Sequence, residues 1–413
     1  MRLLHTSDWH LGQTFLQFER SYEHQCFLSW LLDTLESEAV DGLLIAGDVF
    51  DNSNPSAASQ SLLYGFLTEA HRRVPHLNIV LTAGNHDSPG RLEAPAPFLS
   101  LFDARVVGQV VHNDEGIQVE QLVYPLKNRE GQVAAWCIAM PFLRPGDVPR
   151  VEAADDPYMA GIEALYRQAF EVACARRETG QAIVAMGHCH MTGSETSDDS
   201  ERRIVVGGAE ALSVGVFDEG IGYVALGHLH LPQKVKGDET RRYSGSPFPM
   251  SFSEIHYPHQ VVILDLNGES ATNIREIRVP RRVELLKVPA SARPLDEVLA
   301  ELTALELPER PEAEWPYLLV RVQMTQPEPG LRSQIESALE GKPVRLARIE
   351  PTYPKGEADD TAAVMSVDEM HALAPSDFFK RLYAHRYGEA PSTELMSAFN
   401  ELTQSAEASE ELQ

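Results

Sequence analysis

Asp8-Trp9-His10 is the first of five short segments of this chain that carry Asp, Asn and His. The other four are Gly47-Asp48, Gly84-Asn85-His86-Asp87, Gly187-His188 and Gly227-His228-Leu229-His230. Each follows an apolar run typical of a β-strand, such as residues 42–46 before Asp48. Longer helical patterns alternate with these runs. The series therefore predicts a layered α/β core with polar side chains gathered where strands end in loops.

The residue types predict a site for two divalent metal ions. Two ions about 4 Å apart need roughly seven or eight ligand groups, and one of these must be an anion that touches both ions. Asp48 is the natural bridge. Asp8 and His10 are two residues apart, as are His228 and His230, so each pair can point to one side of a strand end.

The mixture of ligands indicates which metals suit the site. Asn85 adds a neutral amide oxygen to carboxylates and imidazoles, and this set suits manganese, iron or zinc better than calcium or magnesium. The neighbouring glycines are expected to allow tight turns and close approach of a substrate phosphate; they are Gly47, Gly84, Gly187 and Gly227. Any one segment alone is more simply explained as surface or core residues, but the five together favour a metal centre.

Three longer stretches extend the pattern: His5-Thr6-Ser7-Asp8-Trp9-His10-Leu11-Gly12, Ala46-Gly47-Asp48-Val49-Phe50-Asp51 and Tyr243-Ser244-Gly245-Ser246-Pro247. With these, the chain resembles the calcineurin-like metallophosphoesterase superfamily, and within it the SbcD family of nuclease subunits from bacterial SbcCD complexes. The resemblance is close over most of residues 1–280 and continues beyond them as a pattern of elements. It implies a core of two β-sheets sandwiched by helices.

The resemblance also implies roles for individual residues. It implies two metal ions, Mn²⁺ being the expected metal, with one ligand shared between them. The first ion would be held by Asp8, His10, Asp48 and His230. The second would be held by Asp48, Asn85, His188 and His228. His86 would be the catalytic histidine, outside the metal ligands.

Three positions near these segments allow more than one interpretation. His190 is a second candidate ligand two residues after His188, although His188 is favoured because it directly follows an apolar run and Gly187. Asp51 stands where some relatives in the superfamily have a histidine that assists catalysis. Asp87 is expected either to orient an imidazole or to stabilise the turn after its strand.

The pattern of elements predicts three regions. Residues 1–282 would form the nuclease domain. Residues 283–350 would form a small α/β domain with strands at 283–288, 317–322 and 344–349, which in the family caps the active site and helps to position DNA. A structural appendage without catalytic consequence is the alternative for this domain.

Residues 351–413 are predicted to form a linker, two short amphipathic helices and a disordered tail from Ser405. One helical stripe consists of Phe378, Phe379, Leu382 and Tyr383. The other consists of Leu395, Met396, Phe399 and Leu402. Neither helix is long enough to be stable alone, so a partner-binding role is expected. By resemblance, the partner is an SbcC-type coiled-coil ATPase.

Apolar stripes between the second and third metal segments and after the third are expected to pack in the core. They comprise Leu62, Leu63, Phe66, Leu67, Leu92, Phe98, Leu99 and Phe102. The resemblance implies that a part of them instead contacts a second copy, giving a homodimer within a heterotetramer.

Composition narrows the cellular setting. The four cysteines are widely spaced and form no C-x-x-C pair, which favours a reducing cytoplasm over a disulfide framework. The first metal segment begins so early that no signal peptide is expected, and no apolar run approaches membrane-spanning length. The net charge of −26 predicts weak DNA binding by the isolated chain, so a partner is expected to supply much of the DNA affinity.

The predicted function is that of a manganese-dependent DNA nuclease subunit that acts on DNA ends and hairpins in repair, recombination and replication. The resemblance implies 3′ to 5′ double-strand exonuclease and single-strand endonuclease activity. No G-x-x-x-x-G-K-[ST] signature is present, so ATP dependence would come from the partner. The alternatives are a small-molecule phosphodiesterase or nucleotidase, and a non-catalytic scaffold of the same fold.

Overall fold

The computed structural model describes residues 1–114, 116–151, 154, 156–196, 211–326, 328–353, 375–387, 390–392, 395–396 and 399. The chain divides into two compact units, Met1–Glu284 and Leu285–Gln413. The boundary follows Glu284, whereas the sequence pattern placed it after Arg282.

The described strands of the first unit are β1 (Arg2–Thr6), β2 (Thr14–Phe15), β3 (Phe18–Glu19), β4 (Gly42–Ala46), β5 (Asn78–Thr82), β6 (Ala104–Val107), β7 (His112–Asn113), β8 (Gly116–Ile117), β9 (Val123–Lys127), β10 (Val133–Ala139), β11 (Ala182–His188), β12 (Tyr223–Gly227), β13 (Gln233–Lys234), β14 (Arg241–Tyr243), β15 (Gln260–Asn267) and β16 (Ser270–Arg278). The α-helices are α1 (Ser21–Ser37), α2 (Ala57–Arg73), α3 (Pro89–Glu93), α4 (Ala96–Leu99) and α5 (Pro157–Arg176). Short 3-10 helices span Ser100–Phe102, Val119–Leu122, Val214–Val216, Val235–Gly237 and Phe252–His256.

Two six-stranded sheets form the body of this unit. The first has the order β16-β15-β1-β4-β5-β6, in which β1, β4, β5 and β6 are parallel. The second has the order β13-β14-β12-β11-β10-β9, in which β10, β11, β12 and β14 are parallel. The pairs β2–β3 and β7–β8 are small separate hairpins.

The side chains of β4 show how the layers are held together. Leu44 and Ala46 belong to a buried cluster that also contains residues of the second sheet, while Leu43 and Ile45 belong to another cluster with α1 and α2. Because successive side chains of a strand point to opposite faces, a fully apolar strand is required here. The predicted α/β core of two sheets packed with helices is confirmed.

The apolar stripes of the first unit divide between core and surface. Leu63, Phe66, Leu67, Leu92 and Leu99 are buried, which agrees with the expectation of core packing. Phe98 is 71% exposed and the nearby Leu101 is 74% exposed. Most of the predicted apolar stripe is therefore buried in the core, and only a small part of it is left on the surface.

The second unit contains a three-stranded parallel sheet, β17 (Leu285–Pro294), β18 (Tyr317–Gln323) and β19 (Arg345–Thr352), with helices α6 (Leu295–Ala304) and α7 (Leu331–Ala338). A 3-10 helix spans Glu312–Glu314. The first strand is longer than predicted because it pairs with β18 a second time, at Arg293↔Val322. Val298, Leu302 and Ile335 pack against the sheet as its core.

The C-terminal region departs from its prediction at one end. Pro351 and Thr352 pair with β18 as the end of β19, so they are not part of a linker. Residues 354–374, which contain the rest of the predicted linker, lie outside the described residues. The first predicted helix is α8 (Pro375–Tyr387).

The second predicted helix is only partly described. Leu395, Met396 and Phe399 have helical conformation, whereas Leu402 and the predicted tail from Ser405 lie outside the described residues. Within the described part of the chain, no helix combines the length and apolar character needed to cross a bilayer.

Candidate metal centre

The five polar segments meet at the carboxyl ends of parallel strands. Asp8 and His10 follow β1, Asp48 follows β4, Asn85 and His86 follow β5, His188 ends β11, and His228 and His230 follow β12. The two sheets are joined here, because Nδ1 of His188 donates a hydrogen bond of 2.9 Å to the Ala46 carbonyl. Strand ends of this kind are where α/β folds place their ligand sites.

The loops that carry these side chains have unusual backbone geometry. Asp8 (φ 54°), His10 (φ 46°), Asp48 (φ 47°) and His228 (φ 101°) all have positive φ. Residues other than glycine rarely adopt this region, and such strain persists only where surrounding contacts enforce it. Here the Asp8 amide donates to the Gly47 carbonyl at 3.1 Å, and the His10 amide donates to the Asp48 carbonyl at 3.0 Å.

Two glycines allow these loops to pack together. A Cβ at Gly84 would lie 2.1 Å from Oδ1 of Asp48, and a Cβ at Gly47 (φ +83°) would lie 2.1 Å from Nδ1 of His188. Both glycines are therefore needed because a side chain there would collide with residues of the site itself. The sequence pattern had instead predicted that they make room for a substrate phosphate.

Asp48 lies at the centre of the cluster and is buried. Its Oδ2 is 3.3 Å from Nε2 of His188 and 3.7 Å from Nε2 of His10, and its Oδ1 accepts the His86 amide at 2.8 Å. Burial acts to raise the pKa of Asp48, but the nearby His188 and His10 outweigh it and hold this pKa well below its usual range. Asp48 is thus an ionised, buried carboxylate shared by several imidazoles.

Three overlapping groups of side chains in the described residues have the composition and spacing to hold a cation. They are Asp8, His10 and His230; His10, Asp48 and His86; and Asp8, Asp48 and His188, with ligand atoms within 4.8 Å of one another in each group. Oδ1 of Asn85 lies 3.0 Å from Nε2 of His188. His188 is in one of these groups, and His190 is in none of them.

One buried nitrogen supports the assignment of the cluster to metal. Nε2 of His10 is buried and makes no hydrogen bond among the described residues. A buried polar atom without such a partner is costly unless something else satisfies it. The carboxylate, amide and imidazole groups around this nitrogen fit divalent cations of the kind that the sequence predicts.

Hydrogen bonds fix which nitrogen two of the histidines present. Nδ1 of His188 donates to the Ala46 carbonyl, and Nδ1 of His230 donates to Oε1 of Glu254 at 2.8 Å. Each bond sets Nε2 as the nitrogen that can bind a cation.

Burial lowers the pKa of His188, but the Asp48 charge outweighs it and raises this pKa to about 9. Burial, followed by the charge of His188, holds the pKa of His228 well below its ordinary value.

His86 lies at the edge of the cluster with its ring edge-on to His10, the two centroids 4.8 Å apart. Its Nδ1 donates a 2.7 Å hydrogen bond to the Asp51 carbonyl. The Asp51 carboxylate, in turn, lies 3.4 Å from Nδ1 of His10. Asp51 therefore orients His86 through its backbone carbonyl, and its side chain lies close to His10.

Asp87 stabilises the loops and does not orient an imidazole through a described hydrogen bond. Its carboxylate accepts the amides of Gly84 (2.9 Å), Phe50 (2.9 Å) and Val49 (3.1 Å). Burial and the Asp48 charge raise the pKa of Asp87 to about 6, against the effect of these amides. The alternative of turn stabilisation, which the sequence left open, is the one that the hydrogen bonds support.

Sequence reasoning missed the residues that support the candidate ligands. Glu254 holds His230, and Nε2 of His24 donates to the His10 carbonyl at 3.1 Å. Ser7 donates to Oδ2 of Asp8 at 2.5 Å and contacts the Ser244 hydroxyl at 2.9 Å. Ser244 lies in one of the stretches that carried the resemblance, but no sequence signal marked Glu254 or His24.

Comparison with known families agrees with this geometry. Residues 1–232 match the family model described as calcineurin-like phosphoesterase. Residues 279–387 match the model described as type 5 capsule protein repressor C-terminal domain. Fold and site thus define the class of calcineurin-like metallophosphoesterases, which are hydrolases that use divalent metal ions to cleave phosphate esters.

Three relatives are each named as the SbcD component of the nuclease SbcCD. The relative from Rhodobacter capsulatus is 42% identical over 361 residues, covering 86% of this chain and 88% of the relative. Those from Escherichia coli K12 (30% identical, 97% of both chains) and Bacillus subtilis 168 (33% identical, 98% of this chain and 99% of the relative) match over nearly their full lengths. The chain belongs to the SbcD family of nuclease subunits.

Proposed function

We propose that this chain is the Mn²⁺-dependent nuclease subunit of an SbcCD-type complex that processes DNA ends in repair, recombination and replication. The observation that carries the proposal is the grouping of six candidate ligands around a seventh, Asp48, with His86 beside them. The proposed activities are 3′ to 5′ exonuclease on double strands and endonuclease on single strands and hairpins.

The proposed ligands form two overlapping sets. Asp8, His10, Asp48 and His230 would hold one ion, and Asp48, Asn85, His188 and His228 would hold the other. When bound, two such ions stabilise charge on the phosphoryl oxygens and allow water to act as nucleophile at neutral pH. Asp48 suits the shared position because its low pKa keeps it ionised while it is buried.

His86 is proposed to act on the phosphate without being a metal ligand. Its bond to the Asp51 carbonyl keeps a proton on Nδ1, so the doubly protonated ring would give its second proton, on Nε2, to the leaving oxygen and become neutral. The amide of the same residue donates to Asp48, which ties the position of the ring to the proposed bridge.

The proposed partners are DNA, a second copy of the chain, and an SbcC-type coiled-coil ATPase, all in the cytoplasm. The exposed Phe98 and Leu101 support a homodimer contact beside the third metal segment. Phe379 stacks on Phe399 with centroids 4.2 Å apart, while Leu382 of α8 is 50% exposed, which supports a docking role for this helix. The net charge of −26 supports a partner that supplies much of the DNA affinity.

The alternative function is hydrolysis of small phosphodiesters or nucleotides, which the same cluster could perform. The second unit, with its own sheet and core, favours the polymer substrate, because a small-substrate enzyme would not require it. A non-catalytic scaffold has no reason to keep every candidate ligand, so the intact cluster argues against it.

The test compares wild-type protein with His86→Ala on end-labelled double-stranded DNA in Mn²⁺, with and without the ATPase partner. We expect the variant to lose about 100-fold or more in kcat, the usual contribution of a general acid, while its bound manganese stays unchanged. A small phosphodiester is the parallel substrate. Hydrolysis of the small ester with DNA left intact, even with partner and ATP, would overturn the nuclease proposal.

A further inference from the structure

A cavity of about 390 Å³ lies in the first unit, beside the chain segment that supports His230. It is lined by Pro247, Phe248 and Pro249, which are buried, and by Tyr257, which is half-buried. Flat rings and proline faces of this kind form an apolar surface against which a planar group can stack.

Two exposed arginines, Arg278 and Arg281, line the same cavity. Nη1 of Arg278 donates to the Pro258 carbonyl and, at 2.9 Å, to Oε1 of Gln260. Nη2 of Arg281 donates to the Ile255 carbonyl at 2.9 Å. These bonds hold each guanidinium in place while occupying only some of its five N–H donors, so both can also bind an anion.

The local charge differs from that of the chain as a whole. Within residues 275–282 there are four arginines and one acid, Glu276, in a chain whose net charge is −26. One acid, Glu284, lines the cavity together with Arg278 and Arg281. A polyanion repelled by most of the surface would therefore find a locally favourable site here.

The cavity is connected to the candidate metal centre through one short segment. His259 lines the cavity, and its Nε2 contacts the Glu254 carbonyl at 3.3 Å. The Glu254 carboxylate in turn holds Nδ1 of His230 at 2.8 Å. An occupant of the cavity would thus sit against the same segment that orients a proposed metal ligand.

We infer that this cavity binds one nucleotide of the DNA strand, outside the metal centre, with its phosphate on Arg278 and Arg281 and its base against Tyr257. The combination of apolar lining residues with two arginines matches the two halves of a nucleotide. This inference rests on the proposed nuclease function and adds a subsite for the substrate.

The test uses the full-length double variant Arg278→Gln/Arg281→Gln, in which the amides keep hydrogen-bond donors but lose the charge. Arg275→Gln is the matched control. Arg275 is an exposed arginine that lies in β16, as Arg278 does; it pairs with Glu38 and does not line the cavity. The measurements are KM and kcat on single-stranded DNA, the salt dependence of DNA binding, and turnover of a small phosphodiester.

We expect the double variant to raise KM for DNA by about tenfold, as for the loss of a charge-assisted contact. The slope of log affinity against log salt should become shallower by about 0.7 for one lost phosphate contact. Small-ester turnover should equal that of wild type, which also shows that the variant is folded.

Equal KM and equal salt slopes for the double variant and the Arg275→Gln control would overturn the subsite. A double variant that loses small-ester turnover as well would also count against it, because the arginines would then support the fold or the metal centre. Failure of the wild-type protein to cut DNA would instead overturn the proposed function, so the two failures are distinguishable.

Discussion

Glu254 is the residue on which one proposed ligand depends most directly. It is fully buried, and its two carboxylate oxygens accept Nδ1–H of His230 (2.8 Å) and the Met250 amide (2.7 Å). A carboxylate in this position orients the imidazole and increases its basicity as a ligand. Its contribution to metal binding can be measured without changing any proposed ligand.

We expect Glu254→Gln to weaken Mn²⁺ binding by about 10- to 100-fold, because the amide keeps the hydrogen-bonding shape but loses the charge. Titration calorimetry of the metal-free protein with Mn²⁺ measures this effect. Glu269→Gln is the control, since Glu269 is an exposed acid that pairs with Arg177. Equal affinities for the two variants would show that Glu254 has no part in the metal site.

The sequence predicts the candidate ligands better than it predicts the residues that form hydrogen bonds with them and orient them. Asp8, His10 and Asp48 can be selected because each lies in the loop after a strand, and the apolar run of that strand is visible in the local sequence. Glu254 meets His230 across 24 residues of separation, and the contact exists only because the intervening chain returns through β14. Nothing in the residues around Glu254 encodes that return.

At the scale of elements, the loops after β4 and β5 act as one unit. The Asp87 carboxylate joins them through amides on both sides, and the packing leaves no space for a Cβ at Gly84. The position of Asp48 is therefore set by two loops together. A change in either loop that moves them apart should disturb the metal centre before it disturbs the strands.

We expect Gly84→Ala to lower Mn²⁺ content and melting temperature, because its Cβ would lie 2.1 Å from Oδ1 of Asp48. Gly65→Ala is the matched control. Gly65 lies on α2 with no atom within 4 Å of an added Cβ, so alanine should stabilise the helix by about 0.5–1 kcal/mol. Metal analysis and thermal melts of both variants measure the effects. Normal metal content in Gly84→Ala would contradict the proposed packing constraint.

The elements themselves were largely predictable, but some of their ends were not. Runs such as β4 are apolar on both faces because the sheets are covered on both sides, and this pattern is visible in the sequence. The extension of β17 to Pro294 and of β19 to Thr352 depends on pairing with β18. Polar and proline residues at these ends gave no local sign of a strand.

At the scale of the whole molecule, His5 joins the two sheets. It is buried in β1, its Nε2 donates to the Leu226 carbonyl of β12 at 3.1 Å, and its Nδ1 accepts the Tyr223 hydroxyl at 3.0 Å. Burial lowers the pKa of His5 to about 3 from its ordinary value of 6.5. The ring is therefore neutral in the folded protein throughout the weakly acidic range.

This burial predicts a loss of stability in acid. Between pH 6.5 and about 3, the unfolded chain binds a proton at His5 that the folded chain does not, so the free energy of unfolding falls as pH falls. From pH 7 to pH 5 the expected loss from His5 is about 2 kcal/mol. Urea unfolding of the metal-free protein and of His5→Gln at both pH values isolates this contribution, because other groups titrate in both proteins. Equal losses in the two proteins would contradict it.

The sequence gives the net charge of the chain but not the places where charges of one sign gather on the folded surface. The net charge of −26 can be counted from the sequence, and it argues against strong DNA binding by the chain alone. The count does not reveal that Arg278 and Arg281 line one cavity, because that grouping depends on the path of β16 and the segment after it. Local charge is a property of the fold.

We propose that the five loops form a centre for two metal ions bridged by Asp48. Electron paramagnetic resonance of the manganese-loaded full chain, together with metal analysis, tests this proposal. We predict two Mn²⁺ ions per chain with the spectrum of a spin-coupled pair, and loss of the coupling in Asp48→Asn. One ion per chain, or two ions without coupling, would contradict the claim.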